Sequence, residues 1–139
     1  MAQMIRDVMT KNPITLPAQA SIIDAAKRMK EGDIGDVIVM KGDQLCGIVT
    51  DRDIVVRAIA EGKDPNRITI EEVCSHDLTT IAPDDDVAKA VQLMRDKAIR
   101  RLPVIDKGKP VGIVSLGDLA QSLDRRSALG EISAKPPNN

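Results

Sequence analysis

The strongest constraint on this chain is that it repeats itself. Displaced by 65 positions, the sequence matches its own later part without a gap from about Ile5 to Ile54: Ile5 falls on Ile70, Val8 on Val73, Thr15 on Thr80, Ala25 on Ala90 and Met29 on Met94. Ile34 then falls on Ile99, Val39 on Val104, Gly47-Ile48-Val49 on Gly112-Ile113-Val114 and Asp53 on Asp118. Only about one position in five is identical, but apolar positions coincide nearly throughout, and that pattern selects the element type and its buried face. The fold must therefore contain two copies of one unit.

Each copy reads as helix, two strands, helix. Ser21 with Asp24 opens a helix whose Ile22, Ala25, Ala26 and Met29 share a face; in the second copy Asp86 caps Val87, Ala90, Val91 and Met94. The continuous apolar runs Val37-Ile38-Val39-Met40 and Leu102-Pro103-Val104-Ile105 predict buried strands. Lys41-Gly42-Asp43-Gln44 and Asp106-Lys107-Gly108-Lys109 then turn the chain into second runs at 45–49 and 110–114, so each pair predicts a hairpin. Hydroxyl and carboxylate caps at Thr50, Asp53, Ser115 and Asp118 introduce closing helices expected over 54–61 and from 119 to about 125. Thr69 with Glu72 caps a short helix that opens the second copy. The expected division is 1–63 for the first repeat and 64–127 for the second, with a disordered tail over 128–139 that ends Pro-Pro-Asn-Asn. A unit of roughly 60 residues leaves an apolar sheet face uncovered, so the copies are expected to pack on one another.

Composition excludes several functions. The chain has 139 residues, 20 Lys+Arg against 21 Asp+Glu and 42% hydrophobic residues, a balance that matches an ordinary globular protein and not a polycation that coats phosphate backbones. It has no Phe, Tyr or Trp, so a nucleic acid cannot stack on aromatic platforms and the core must be aliphatic. Residues 1–13 carry Arg6, Asp7 and Lys11 without a long apolar run, so neither a signal peptide nor a membrane span is expected and the chain is placed in the cytoplasm. Cys46 and Cys74 have apolar neighbours and read as buried thiols. His76 has no His or Cys at metal-ligand spacing, so no metal site and no catalytic triad are expected. Pro83-Asp84-Asp85-Asp86 reads as helix capping, and Asp124-Arg125-Arg126 as a solvated helix end.

The repeated constellation that could carry chemistry is Gly, two apolar residues, a hydroxyl, two variable residues and Asp: Gly47-Ile48-Val49-Thr50-Asp51-Arg52-Asp53 and Gly112-Ile113-Val114-Ser115-Leu116-Gly117-Asp118. A hydroxyl at a strand end beside helix N–H groups suits a phosphate, and a carboxylate one turn on suits ribose hydroxyls. The same residues also serve as plain helix caps, and duplication does not separate the two readings, because a cap is duplicated too.

With Asp7-Val8-Met9-Thr10, Asn12-Pro13-Ile14-Thr15 and Arg100-Arg101-Leu102-Pro103-Val104 in the same order and spacing, the chain over roughly residues 3–125 resembles a stand-alone tandem pair of CBS domains, a Bateman module. The resemblance implies an α/β (α+β) fold of two pseudo-symmetric β-α-β-β-α repeats packed as one module, assembly into disc-like dimers, and adenosyl ligands in clefts between repeats. It assigns Thr50 and Asp53 to one cleft, and Ser115 and Asp118, with Arg100 and Arg101, to the other; Thr15, Thr80 and Pro103 are further ligand-binding candidates. Asp would hold ribose; the hydroxyls and the arginines would face phosphate. The positions equivalent to Arg100 and Arg101 are Gly35 and Asp36, so the phosphate affinity is expected mainly in the second cleft, with Arg52 a partial substitute in the first.

The function expected is a regulatory module that senses AMP, ADP, ATP or another adenosyl compound, acts as a homodimer or through an effector protein, and needs no cofactor. No enzyme activity, nucleic-acid partner or membrane partner is expected. The alternative is a ligand-independent dimerisation or scaffold protein, and nucleotide-dependent stabilisation separates the two.

Overall fold

A computed structural model describes residues 3–123; the tail expected at 128–139 and the helix end at 124–126 lie outside the described residues. The chain divides into two compact units, one of Ile14–Leu78 and the other of Met1–Pro13 with Thr79–Asn139.

In the Ile14–Leu78 unit, strand β2 (Thr15–Pro17) runs parallel to β3 (Asp36–Lys41), which pairs antiparallel with β4 (Gln44–Thr50) across a two-residue turn. Between β2 and β3 lies helix α2 (Ile22–Gly32), opened by Ser21, whose Oγ accepts from the Asp24 N–H at 3.0 Å. Its Ile22, Ala25 and Met29 meet Val37, Val39 and Val49 of the sheet in one aliphatic core. After β4 come α3 (Asp51–Ile54) and a π-helical turn (Val55–Ile59), then α4 (Ile70–Val73). The closing helix expected over 54–61 is thus an α turn begun by Thr50 and widened into a π turn, with Ala60 N–H bonded to the Val55 carbonyl at 2.8 Å. The wider turn keeps Ala58 buried and leaves Val55, Val56 and Ile59 exposed.

The other unit repeats this plan with α5 (Val87–Lys97), β5 (Arg101–Asp106), β6 (Lys109–Ser115) and α6 (Leu116–Leu123). Its first strand is reduced to a parallel bridge from Ile81 to Val104. Both hairpins carry a register shift at the same repeat position, Val39/Met40 and Val104/Ile105. α6 starts at Leu116, earlier than the expected residue 119, because Ser115 is its cap.

Each compact unit joins the opening segment of one copy of the repeat to the remainder of the other. The opening helix of the first copy, α1 (Ile5–Val8), packs with α6 and β6, and the strand after it, β1 (Thr10–Lys11), pairs with β6. The opening helix of the second copy, α4, packs with β4, and Ser75 bridges Ile48. Two glycines permit the exchange. A Cβ on Gly47 would stand 1.9 Å from the Ser75 carbonyl oxygen, and one on Gly112 would stand 2.5 Å from Met9 Sδ and 2.8 Å from the Thr10 oxygen. Ile5 and Ile70, each fully buried, anchor the two exchanged helices in their respective cores.

Candidate functional site

The structure brings four of the expected residues to one sheet end. Arg101 begins β5 and is the register partner of Ser115, the last residue of β6. Arg100, exposed, precedes it, and its carbonyl accepts from the Leu116 N–H at 2.9 Å, which ties the strand entry to the first turn of α6. Ser115 Oγ accepts from the Asp118 N–H at 3.1 Å, and Asp118 Oδ2 accepts from the Ser115 N–H at 2.9 Å. This is a reciprocal capping box. It engages one oxygen of Asp118, and a carboxylate has two, with about four acceptor sites. Pro103 is buried in β5, and its carbonyl accepts from the Ile81 N–H at 3.1 Å, so Thr80 stands beside β5 toward the end where Arg101 begins.

The equivalent end of the Ile14–Leu78 unit has the same frame and the opposite charge. Thr50 Oγ1 accepts from Asp53 N–H at 3.1 Å, Asp53 Oδ2 accepts from Thr50 N–H at 2.9 Å, and the register partner of Thr50 is Asp36. The Gly35 carbonyl accepts from the Asp51 N–H at 3.0 Å, as that of Arg100 does from Leu116, and the Asp51 carboxylate packs against Gly35. Arg52 is exposed. The other carboxylate oxygen of Asp53, Oδ1, lies 3.8 Å from Arg57 Nε. Thr15 is exposed on β2, level with Ile38. A groove of about 540 Å³ beside α2, lined by Leu16, Pro17, Asp24, Arg28 and Glu31 among others, includes none of these expected residues.

One grouping escaped the sequence reading. His76 was expected to lack a His or Cys partner; folding places it against both thiols. The ligand atoms of Cys46, Cys74 and His76 all lie within 4.8 Å of one another. Neither cysteine is in a disulfide. Burial, then the neighbouring Cys46, then Asp53 and Glu71 push the Cys74 thiol up to about 12. The available signal was the repeat itself: at these three positions the other copy has Val111, Met9 and Lys11.

The CBS-domain family model matches residues 5–59 and again 70–125. The chain belongs to the CBS-domain family, as a tandem pair. It is 40% identical over 116 residues to the CBS domain-containing protein YhcV of Bacillus subtilis, covering 84% of this chain and 82% of that one. It spans only 58% of the length of another relative, protein MK0525 of Methanopyrus kandleri, at 37% identity. Among solved structures, the CBS domain pair of protein MJ0100, in complex with 5-methylthioadenosine and S-adenosyl-L-methionine, superposes with a TM-score of 0.79 at 29% identity, covering 91% of this chain and 100% of that one. Hypoxic Response Protein I, crystallised with two coordinated zinc ions, has a TM-score of 0.75 at 32% identity, covering 86% of this chain and 98% of that one. Among the described residues no helix is long and apolar enough to cross a membrane.

Proposed function

We propose that this CBS pair is a non-catalytic regulatory module that binds an adenosyl ligand at the Ser115–Asp118 end of its second-repeat sheet. The observation that carries the reading is the register pair Arg101–Ser115, whose counterpart is Asp36–Thr50. A phosphate or another anionic group gains from Arg101, Arg100 and the positive end of the α6 dipole, and is repelled by Asp36 and Asp51 at the equivalent place. Asp118 offers its remaining acceptor sites to a ribose diol. The adenosyl complex of the similar MJ0100 pair supports the ligand class. AMP, ADP, ATP and S-adenosylmethionine share the adenosyl part that Asp118 would read and differ in the group that meets the arginines.

Calorimetry with that panel, and with guanosine counterparts, tests the reading. Adenosyl compounds should bind and raise the melting temperature, by about 2.7 kcal/mol of stability at a hundredfold excess over Kd, and Arg100→Ala should weaken a phosphorylated ligand more than an uncharged one. No shift with any adenosyl compound would overturn it in favour of the ligand-independent scaffold. That second reading has its own observation: Val55, Val56 and Ile59 are 57%, 44% and 53% exposed on the π turn, an apolar face suited to a second copy of the chain.

A further inference from the structure

We propose that Cys46, Cys74 and His76 form a binding site for one thiophilic divalent cation, zinc or an ion of similar chemistry, within the Ile14–Leu78 unit. Two thiolates and an imidazole are the donor set that such ions select over the oxygen ligands preferred by magnesium and calcium.

The geometry is close to what coordination requires. His76 Nδ1 lies 3.9 Å from Cys46 Sγ and 3.9 Å from Cys74 Sγ. A tetrahedral zinc with bonds of about 2.3 Å to sulfur and about 2.0 Å to nitrogen sets the sulfur–nitrogen edge near 3.6 Å and the sulfur–sulfur edge near 3.8 Å, so donor atoms that all lie within 4.8 Å of one another close onto an ion with side-chain movement of about 1 Å or less. The ring is also held in the right tautomer. His76 Nε2 lies 3.1 Å from the Glu71 carbonyl oxygen, and a carbonyl can only accept, so Nε2 carries the proton and Nδ1 presents its lone pair. Imidazoles that bind metals are oriented this way, with the second nitrogen donating to a carbonyl or carboxylate. Cys74 Sγ is also 3.8 Å from Nε2, so the ring has to turn about the Glu71 bond to aim Nδ1 at both sulfurs.

The backbone brings these donors together by construction. Cys46 precedes Gly47 on β4; because Gly47 has no side chain, Ser75 pairs with Ile48 through Ser75 N–H to the Ile48 carbonyl at 2.9 Å, and the residues flanking Ser75 land on Cys46. The other unit forms the same pairing between β1 and β6, with Val111, Met9 and Lys11 in the three places. A core position is satisfied by Val or Met, so packing accounts for the thiols singly; it does not account for an imidazole beside both. Cys74 is buried, Cys46 half-buried and His76 exposed, which leaves a path from solvent and a fourth position for water. A bound ion would fasten the exchanged α4 segment to β4.

Cobalt substitution of the full, reduced chain tests this, helped by the lack of aromatic absorbance. The expected result is one Co²⁺ per chain, with near-ultraviolet sulfur-to-cobalt charge transfer and the visible bands of a four-coordinate ion, displaced by one equivalent of Zn²⁺. Cys46→Ser should about halve the charge-transfer intensity, and it and His76→Gln should each lower affinity by more than about tenfold, the least that loss of even an outer-shell partner of a ligand costs. Both substitutions lie outside the fully buried core, and far-ultraviolet circular dichroism checks that they fold. Absence of stoichiometric Co²⁺ and Zn²⁺ binding, or wild-type affinity in both folded variants, overturns the proposal.

Discussion

Arg57 stands one turn beyond Asp53, with Nε 3.8 Å from Asp53 Oδ1, while its Nη1 donates to the Val73 and Cys74 carbonyls at 3.3 Å. The guanidinium is thereby fixed over the carboxylate oxygen that the capping box leaves over. At the equivalent place in the other unit is Ser122, which bonds to Gln3 instead. The two aspartates that the repeat makes look alike therefore differ in what they can offer a ligand.

The first expected outcome follows from that difference. Asp118→Ala should weaken adenosyl binding at least about tenfold, since a hydrogen bond to a charged group is worth roughly 1.5–3 kcal/mol and 1.4 kcal/mol is a factor of ten. Asp53→Ala should change it by less than about threefold. Calorimetric titration of both variants decides it; equal losses would refute the asymmetry. Each substitution also removes a capping box, at a cost of about 1 kcal/mol, so affinities are compared below both melting points.

The exchange of opening segments rests on Gly47 and Gly112. Gly47→Ala puts a methyl group 1.9 Å from a backbone oxygen, where no rotamer relieves the clash. Gly112→Ala meets the Met9 side chain, which can move, and the Thr10 carbonyl at 2.8 Å, which is harder to shift. Both should destabilise, Gly47→Ala more, by at least about 2 kcal/mol. Thermal melts followed by circular dichroism measure the order; a neutral Gly47→Ala would show that the segment docks differently.

Much of this architecture was legible because the repeat reports every element twice. Capping at Ser21, Asp86, Thr69, Thr50 and Ser115, the hairpins and the helix faces all follow from local spacing. The exchange of α1 and α4 was not legible, because the apolar pattern marks Ile5 and Ile70 as buried without saying in which core. The Cys46–Cys74–His76 group was missed for a related reason. Ligand spacing along the chain detects sites closed by one turn or hairpin, whereas this one is closed by a pairing that joins residues about thirty apart. The repeated hydroxyl and Asp lie at the other extreme: their spacing is plain in the sequence, and the structure shows them capping helices, one of the two readings that spacing alone left open.

Ala98 ends α5 in the left-handed region, with φ of 54°, at the position where α2 has Asp33 at 52°. Alanine there strains against its own Cβ, a cost of roughly 1–2 kcal/mol that glycine avoids, offset in part by glycine's larger entropy loss on folding. Ala98→Gly should stabilise the chain by about 0.5–1 kcal/mol. A lower melting temperature in this variant would count against that backbone conformation.

Asp85 Oδ2 accepts from the Ala82 N–H at 2.9 Å and lies 3.3 Å from Lys89 Nζ. The backbone N–H first, and Lys89 after it, hold its pKa below the ordinary aspartate value of 3.8. Because the folded state favours the charged carboxylate, the stabilisation is fully present above 3.8 and is lost as the pH falls through the lower, folded value. Asp85→Asn should melt below wild type at neutral pH, and the gap should close on acidification. A gap that is constant with pH would show that the carboxylate's charge is not involved.

The final expectation concerns assembly. Val55, Val56 and Ile59 are exposed together on a turn widened by π hydrogen bonding, while Leu119, the second-repeat counterpart of Ile54, is buried. An apolar group of this kind favours association by roughly 25 cal/mol for each Å² it removes from water, and a second copy of the chain supplies a matching surface in an isologous contact. Sedimentation at micromolar concentration should show a dimer, and Ile59→Asp, which buries a charge at that contact, should shift it toward the 15.0 kDa chain by at least about tenfold in Kd. Wild-type protein sedimenting only at 15.0 kDa would refute the dimer; a dimer indifferent to Ile59→Asp would move the contact off the π turn.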